Sequence, residues 1–223
     1  MKLTINIPES LNEVTLKQYQ KWLKIADGKE LDSFLQQKMV EIFCNIPLKQ
    51  VLQIKATDIN NICQELSKLF NTEPKFIDRF TMNNKEFGFI PKLDDISFGE
   101  YVDLDTYLAD WELMNKAIGV LFRPITYKKK KQYLIEDYES ADKYDMTETT
   151  LDVVFGSLVF FYSLKNELQK TILNYLATQK EIELPQHLRD SLQNGAGINL
   201  STDLLMETFS NTMKLPNQNS TPV

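Results

Sequence analysis

The stretch "KFIDRFTMNNKEFGFIP" (Lys75–Pro91) interrupts a helical pattern with two short, alternating apolar runs. The runs meet at Asn83-Asn84, and asparagine tolerates the positive φ that a tight hairpin turn demands. A β-hairpin is therefore predicted over residues 76–90. A second candidate follows in "LFRPITYKKKKQYLIEDYE" (Leu121–Glu139). There Ile125–Tyr127 and Tyr133–Ile135 read as extended arms, and Lys128, Lys129, Lys130 and Lys131 fall where the chain reverses. The residues before it, Arg123-Pro124, are expected to end a helix, because a proline disfavours helical geometry in the residue it follows.

Outward from these two hairpins the pattern is mostly helical. Thr15 followed by Gln18 is a capping-box signature, Leu16, Tyr19, Leu23 and Ala26 repeat at helical spacing, and Gly28 closes the segment. A second helix is predicted in "ELDSFLQQKMVEIFCNI", with Phe34, Leu35, Met39, Ile42 and Phe43 on one stripe. Pro47 starts a short turn of helix, and Thr57 is the expected cap of "TDINNICQELSKLFN". Ser97 with Glu100 forms another capping box and opens a helix, and "WELMNKAIGVLF" carries a further one. "EDYESADKYDMTE" reads as loop. "TTLDVVFGSLVFFYSLKNELQKTILNYLATQ" is the longest helical candidate, apolar nearly all round in its first half. At the N-terminus Leu3, Ile5 and Ile7 alternate before Pro8, which predicts a short strand over 2–7.

The fold class that follows is α+β: a mainly helical single domain with one or two β-hairpins. The body is expected over residues 1–178. Residues 179–223 are rich in Asn, Gln, Ser and Thr and read as an extended C-terminal arm, partly disordered or ordered on a partner. Its apolar anchors include Leu204, Leu205, Met206 and Phe209. With 223 residues and an apolar share of 43%, the chain has enough apolar side chain for a sizeable core. The N-terminus lacks the unbroken apolar core of a signal peptide. The most apolar stretch, Val153–Leu164, would make roughly 18 Å of helix against the ~30 Å of a bilayer core, so a buried helix and no membrane span is expected.

Candidate chemistry is sparse. Cys44 and Cys63 lack CxxC spacing and sit in apolar helical surroundings, which predicts buried thiols with neither a disulfide scaffold nor a zinc site. Asp103 and Asp110 are seven apart and could share a helix face as an acid/base or metal pair, but no histidine or calcium-loop spacing accompanies them. On a continuous helix they would form a solvated acidic face. The single histidine, His187, lies in the polar arm, so no Ser-His-Asp set and no metal trio can be built on it. Phosphate-cradling glycine loops are absent, and Phe160-Phe161-Tyr162 reads as core rather than pocket lining. No catalytic residue, metal or cofactor is therefore expected.

The net charge of −6 repels nucleic acid unless cations gather in one place, and the lysine run is where they gather. Three readings compete for it: a solvated loop tip, a contact with an anionic partner surface, and, least favoured, nucleic acid. The acidic residues Glu136, Asp137 and Glu139 follow closely and are expected to lie beside the opposite strand and partly neutralise the lysines. Lys128–Lys131 with Leu204, Leu205, Met206 and Phe209 are the candidate partner contacts.

The order of "IPESLNEVTLKQYQKWL", "QQKMVEIFCNIP", "KEFGFIPKLDDISFGEYVDLD", "AIGVLFRPIT" followed by "YLIEDYE", and "FFYSLKNELQKTILNYL" resembles small virion or tail-assembly proteins of tailed bacteriophages. Those of Bacteroidota and marine phages, including crAss-like phages, are the ones it resembles, over roughly residues 1–178. The resemblance implies a non-enzymatic structural protein near the portal or tail, or packaged cargo. Its implied partners are other phage structural proteins, with a multi-copy ring or assembly as one arrangement. The implied location is the virion, and the host cytoplasm during assembly. The alternatives are a tail-assembly chaperone that leaves before maturation, and an enzyme with a carboxylate site that sequence does not reveal.

Overall fold

The computed structural model describes residues 5–26, 28–92, 96–130 and 132–163. A 3-10 turn at Leu11–Glu13 leads into four helices: α1 (Leu16–Ala26), α2 (Ser33–Phe43), α3 (Leu48–Val51) and α4 (Ala56–Phe70). The capping box predicted for α1 is present in both directions. Thr15 Oγ1 accepts from the Gln18 N–H at 3.3 Å, and Gln18 Oε1 accepts from the Thr15 N–H at 2.9 Å. Asp32 caps α2 by accepting from the Leu35 N–H at 2.8 Å. α4 begins earlier than expected: Lys55 is its N-cap, without a side-chain bond, so Thr57 lies inside the first turn. The apolar faces of α1, α2 and α4 meet through Tyr19, Phe43 and Phe70, with ring centroids 5.9 Å apart for Tyr19–Phe70 and 4.9 Å for Phe43–Phe70. Phe34 departs from the predicted stripe and is half exposed, with Lys38 Nζ over its ring. Leu35, Met39, Ile42 and Phe43 already fill the inward arc of α2, and Phe34 falls at its flank.

β1 (Arg79–Met82) and β2 (Lys85–Phe89) form the first hairpin, with Asn83 and Asn84 at φ 50° and 60° as the turn requires. α5 (Phe98–Tyr107), a 3-10 turn (Trp111–Leu113) and α6 (Met114–Leu121) follow, and then the second hairpin, β3 (Phe122–Lys129) with β4 (Gln132–Ile135). The two hairpins are one sheet. Its order is β1-β2-β3-β4, antiparallel throughout, joined by Phe87↔Pro124, Gly88↔Arg123 and Phe89↔Phe122. Helices and a four-stranded antiparallel sheet make the fold α+β, as expected. β3 is longer than predicted: it starts directly after α6 and runs through Pro124. That residue has no N–H to give, but its carbonyl accepts from the Glu136 N–H at 2.9 Å.

One face of the sheet enters the core through Phe87, Phe89 and Phe122. Against it lies α7 (residues 151–163), with Phe160 stacked on Phe76 at 4.1 Å and edge-on to Phe89 at 5.6 Å. Phe160 and Phe161 pack against the core and Tyr162 is buried within it, in keeping with the core reading of that cluster. The polar segment between β4 and α7 is irregular, yet its end is pinned: the Leu16 N–H donates to Thr149 O and the Leu151 N–H to Val14 O, at 2.8 and 2.9 Å. Among the described residues no helix is long and apolar enough to cross a membrane.

The strand predicted over 2–7 is not formed by its described part. Residues 5–7 pair with no strand, while Ile5 and Ile7 rest against the core. The alternation there reflects one-sided burial, not a ladder. The chain beyond Ser163, and with it the predicted arm, His187, Leu204, Leu205, Met206 and Phe209, lies outside the described residues.

Candidate functional site

The sheet face opposite the aromatic core holds Arg79, Gly88 and Arg123 in one cross-strand row. Arg123 is buried, and its Nη1 donates to Glu100 Oε1 at 2.5 Å. Glu100 in turn serves the start of α5, where its Oε2 accepts from the Ser97 N–H at 2.7 Å while Ser97 Oγ accepts from the Glu100 N–H at 3.2 Å. The guanidinium lies over the ring of Tyr138, 5.6 Å from its centroid, and the Tyr138 hydroxyl donates to Asp103. Burial would raise the Glu100 carboxyl, but hydrogen bonds from Ser97 and Arg123 outweigh it and hold the group below its ordinary range. Burial, and then the Asp103 carboxylate, push the Tyr138 hydroxyl well up. A charged, largely dry knot thus fixes α5 and the segment after β4 onto the sheet.

The Asp103/Asp110 pair is not assembled. α5 ends at Tyr107, so the two do not share a helix; Asp103 takes the Tyr138 hydroxyl, while Asp110 caps the following 3-10 turn by accepting from the Glu112 N–H at 2.8 Å. Among the described residues no three His, Cys, Asp or Glu side chains are grouped so as to hold a metal ion. Cys44 and Cys63 are both buried, and burial pushes both thiols up to about 11. At neutral pH they are protonated and inert as nucleophiles.

The lysines stand at the far end of the β3–β4 hairpin. Register places Lys128 opposite Tyr133 and Lys129 opposite Gln132, and Lys130 takes φ 58° in the turn; Lys131 lies outside the described residues. Lys128 is held by Glu86 of β2 at 2.6 Å, whereas Glu136 and Glu139 hold Lys143 at 3.2 and 2.8 Å. The expected neutralisation by the later acidic cluster gives way for a reason of register. Ile135 pairs with Ile125, so Glu136 and the residues after it sit near the start of β3, away from its tip. The hairpin is anchored by Tyr133, whose hydroxyl donates to Phe89 O at 2.9 Å and whose ring crosses β2 above Gly88. A Cβ at Gly88 would stand 2.5 Å from that ring, so only glycine lets it lie there. Arg79 covers the ring, 5.6 Å from its centroid.

Two exposed apolar surfaces are mounted on these rigid elements. At the hairpin, Tyr127 and Leu134 are directly paired and 56% and 60% exposed. On α5, Phe98 is 82% exposed, and Tyr101 and Val102 beside it are exposed as well. The α5 surface is a feature that sequence reasoning passed over in favour of the nearby carboxylates. Its signal was present: Phe98, Tyr101 and Val102 stand at i, i+3 and i+4, one stripe along α5. Comparison with family models, with curated proteins and with solved structures finds no match to this chain.

Proposed function

We propose that the chain is a non-enzymatic structural protein of a tailed-bacteriophage particle, working through protein–protein contacts at the portal or tail region or as packaged cargo. The observation that carries this reading is the pair of exposed apolar surfaces, on α5 and on the β3–β4 hairpin, each held by a packed scaffold rather than a loop. Contiguous exposed apolar groups rimmed by charge are what association surfaces present to water. The motif resemblance to phage virion and tail-assembly proteins supplies the setting. Nucleic acid is the weaker partner class, because Lys128 is already held by Glu86 and the whole chain carries a charge of −6.

Quantitative mass spectrometry of purified phage particles, compared with the infected-cell lysate, tests the reading. The chain is expected in the particle at a fixed ratio to the portal or tail proteins. Presence in the lysate together with absence from the particle overturns it in favour of an assembly chaperone.

A further inference from the structure

We propose that the lysine-tipped end of the β3–β4 hairpin docks onto the exposed face of α5 in a second copy of this chain, head to tail. The inference deepens the structural reading above and rests on it. The two surfaces are complementary in both respects that matter. The hairpin end offers the Tyr127–Leu134 pair flanked by Lys129 and Lys130, all exposed. The α5 face offers Phe98, Tyr101 and Val102, with Asp105 exposed one turn further along the same arc. Residues 98–110 carry Glu100, Asp103, Asp105 and Asp110 and no lysine or arginine. Glu100 and Asp103 are turned to internal partners and Asp110 caps the next turn, which leaves the exposed Asp105 to meet an outside cation.

Within one molecule the two surfaces do not meet. α5 is tied to the sheet at Arg123, and six residues of strand at about 3.3 Å each put Lys129 roughly 20 Å away. The contact therefore joins different copies. Because the two patches differ, the interface is heterologous, and each docked copy presents a fresh patch for the next, which yields a ring or a filament. The turn itself adds an independent sign. In the first hairpin the positive-φ positions are filled by Asn83 and Asn84, which adopt that geometry readily. In the second, Lys130 sits at φ 58°, a conformation its side chain disfavours, so the turn carries a charge where turn chemistry alone calls for asparagine or glycine.

Sedimentation of the purified full-length chain tests this with two variants, one lacking each patch: Lys129→Glu/Lys130→Glu at the tip, and Phe98→Ser/Asp105→Asn on α5. All four positions are exposed, so both variants are expected to melt as the parent does. The parent should self-associate with rising concentration and less so in high salt. Each variant alone should associate more weakly by roughly tenfold or more. An equal mixture of the two should recover association but stop at a dimer, since each variant retains the patch the other lacks. A mixture no better associated than its parts overturns the proposal, because a contact between like patches gives no such rescue. A parent chain that stays monomeric also overturns it, leaving the α5 face to the chain's own Leu204–Phe209 segment or to a different protein. If that monomer is nonetheless stoichiometric in particles, this contact fails while the structural reading stands.

Discussion

Gly156→Ala is expected to destabilise the chain by about 3 kcal/mol or more and to lower Tm by roughly 10 °C. Gly156 lies in α7 where the chain leading into β1 crosses it. A Cβ there would stand 2.1 Å from the carbonyl oxygen of Lys75 and 3.3 Å from Phe76 Cα. Neither neighbour is a flexible side-chain end that could swing aside. Relief requires lifting residues 75–76 off the helix, and that breaks the stack of Phe76 on Phe160 and the edge contact of Phe76 with Phe89. The sheet would lose its seat on α7. Gly99→Ala is the control: the nearest atom to its Cβ position is Ser97 Oγ at 4.0 Å, and alanine is the better helix former. Thermal melts should show the first variant far below the parent and the second level with it or above. Equal melting of the two variants would mean that α7 and the Lys75–Phe76 segment are not in contact.

Arg123→Met is expected to cost about 3–5 kcal/mol, because it leaves Glu100 charged and buried without its cation. The partner change Glu100→Gln keeps a hydrogen-bonding group at the Ser97 cap but leaves the arginine buried and unpaired. The double variant should recover much of the loss, since no uncompensated charge remains. Urea unfolding of the four proteins gives the coupling directly. A coupling near zero would show that α5 is not fastened to the sheet by this pair. The same knot sets a pH window. Glu100 lies below its ordinary value of 4.5 in the folded state, so its contribution is complete above 4.5 and is lost as pH falls through the lower, folded value. Tyr138 lies above its ordinary value of 10.0, so its contribution is complete below 10.0 and is lost as pH rises toward the folded value. The parent should hold its stability between these limits, and Arg123→Met should show a weaker acid limb than the parent, with the Ser97 hydrogen bonds to Glu100 still in place.

What the sequence revealed follows the range of the interactions involved. Thr15/Gln18 and Ser97/Glu100 are contacts three residues long, and Asn83-Asn84 carries its own backbone preference, so the helix starts and the first turn were legible. The joining of the hairpins into one sheet was not, because β2 meets β3 only after α5 and α6 have intervened. Register decided what became of the lysines: Glu86, far off in sequence, reaches Lys128, and the nearby Glu136 does not. Arg123 looked like a helix stop and proved to be the buried centre of the polar knot. Its meaning depends on Glu100 and Tyr138, which no local pattern links to it. The N-terminal alternation misled for the opposite reason: period two reports which side is buried and says nothing of a pairing partner.

The polar knot and Tyr133 fasten the α5 face and the hairpin tip to different parts of one sheet. If the chain works by contact between copies, that contact has an address. Carbodiimide coupling of purified particles, read by peptide mass spectrometry, tests it most directly, because zero-length coupling joins only an amine and a carboxylate already in touch. The predicted result is an amide bond between Lys129 or Lys130 of one copy and Asp105 of another, lost when particles are dispersed before coupling. Particles that contain the chain, yet leave these lysines as open to acylation as in the dispersed protein, would contradict it.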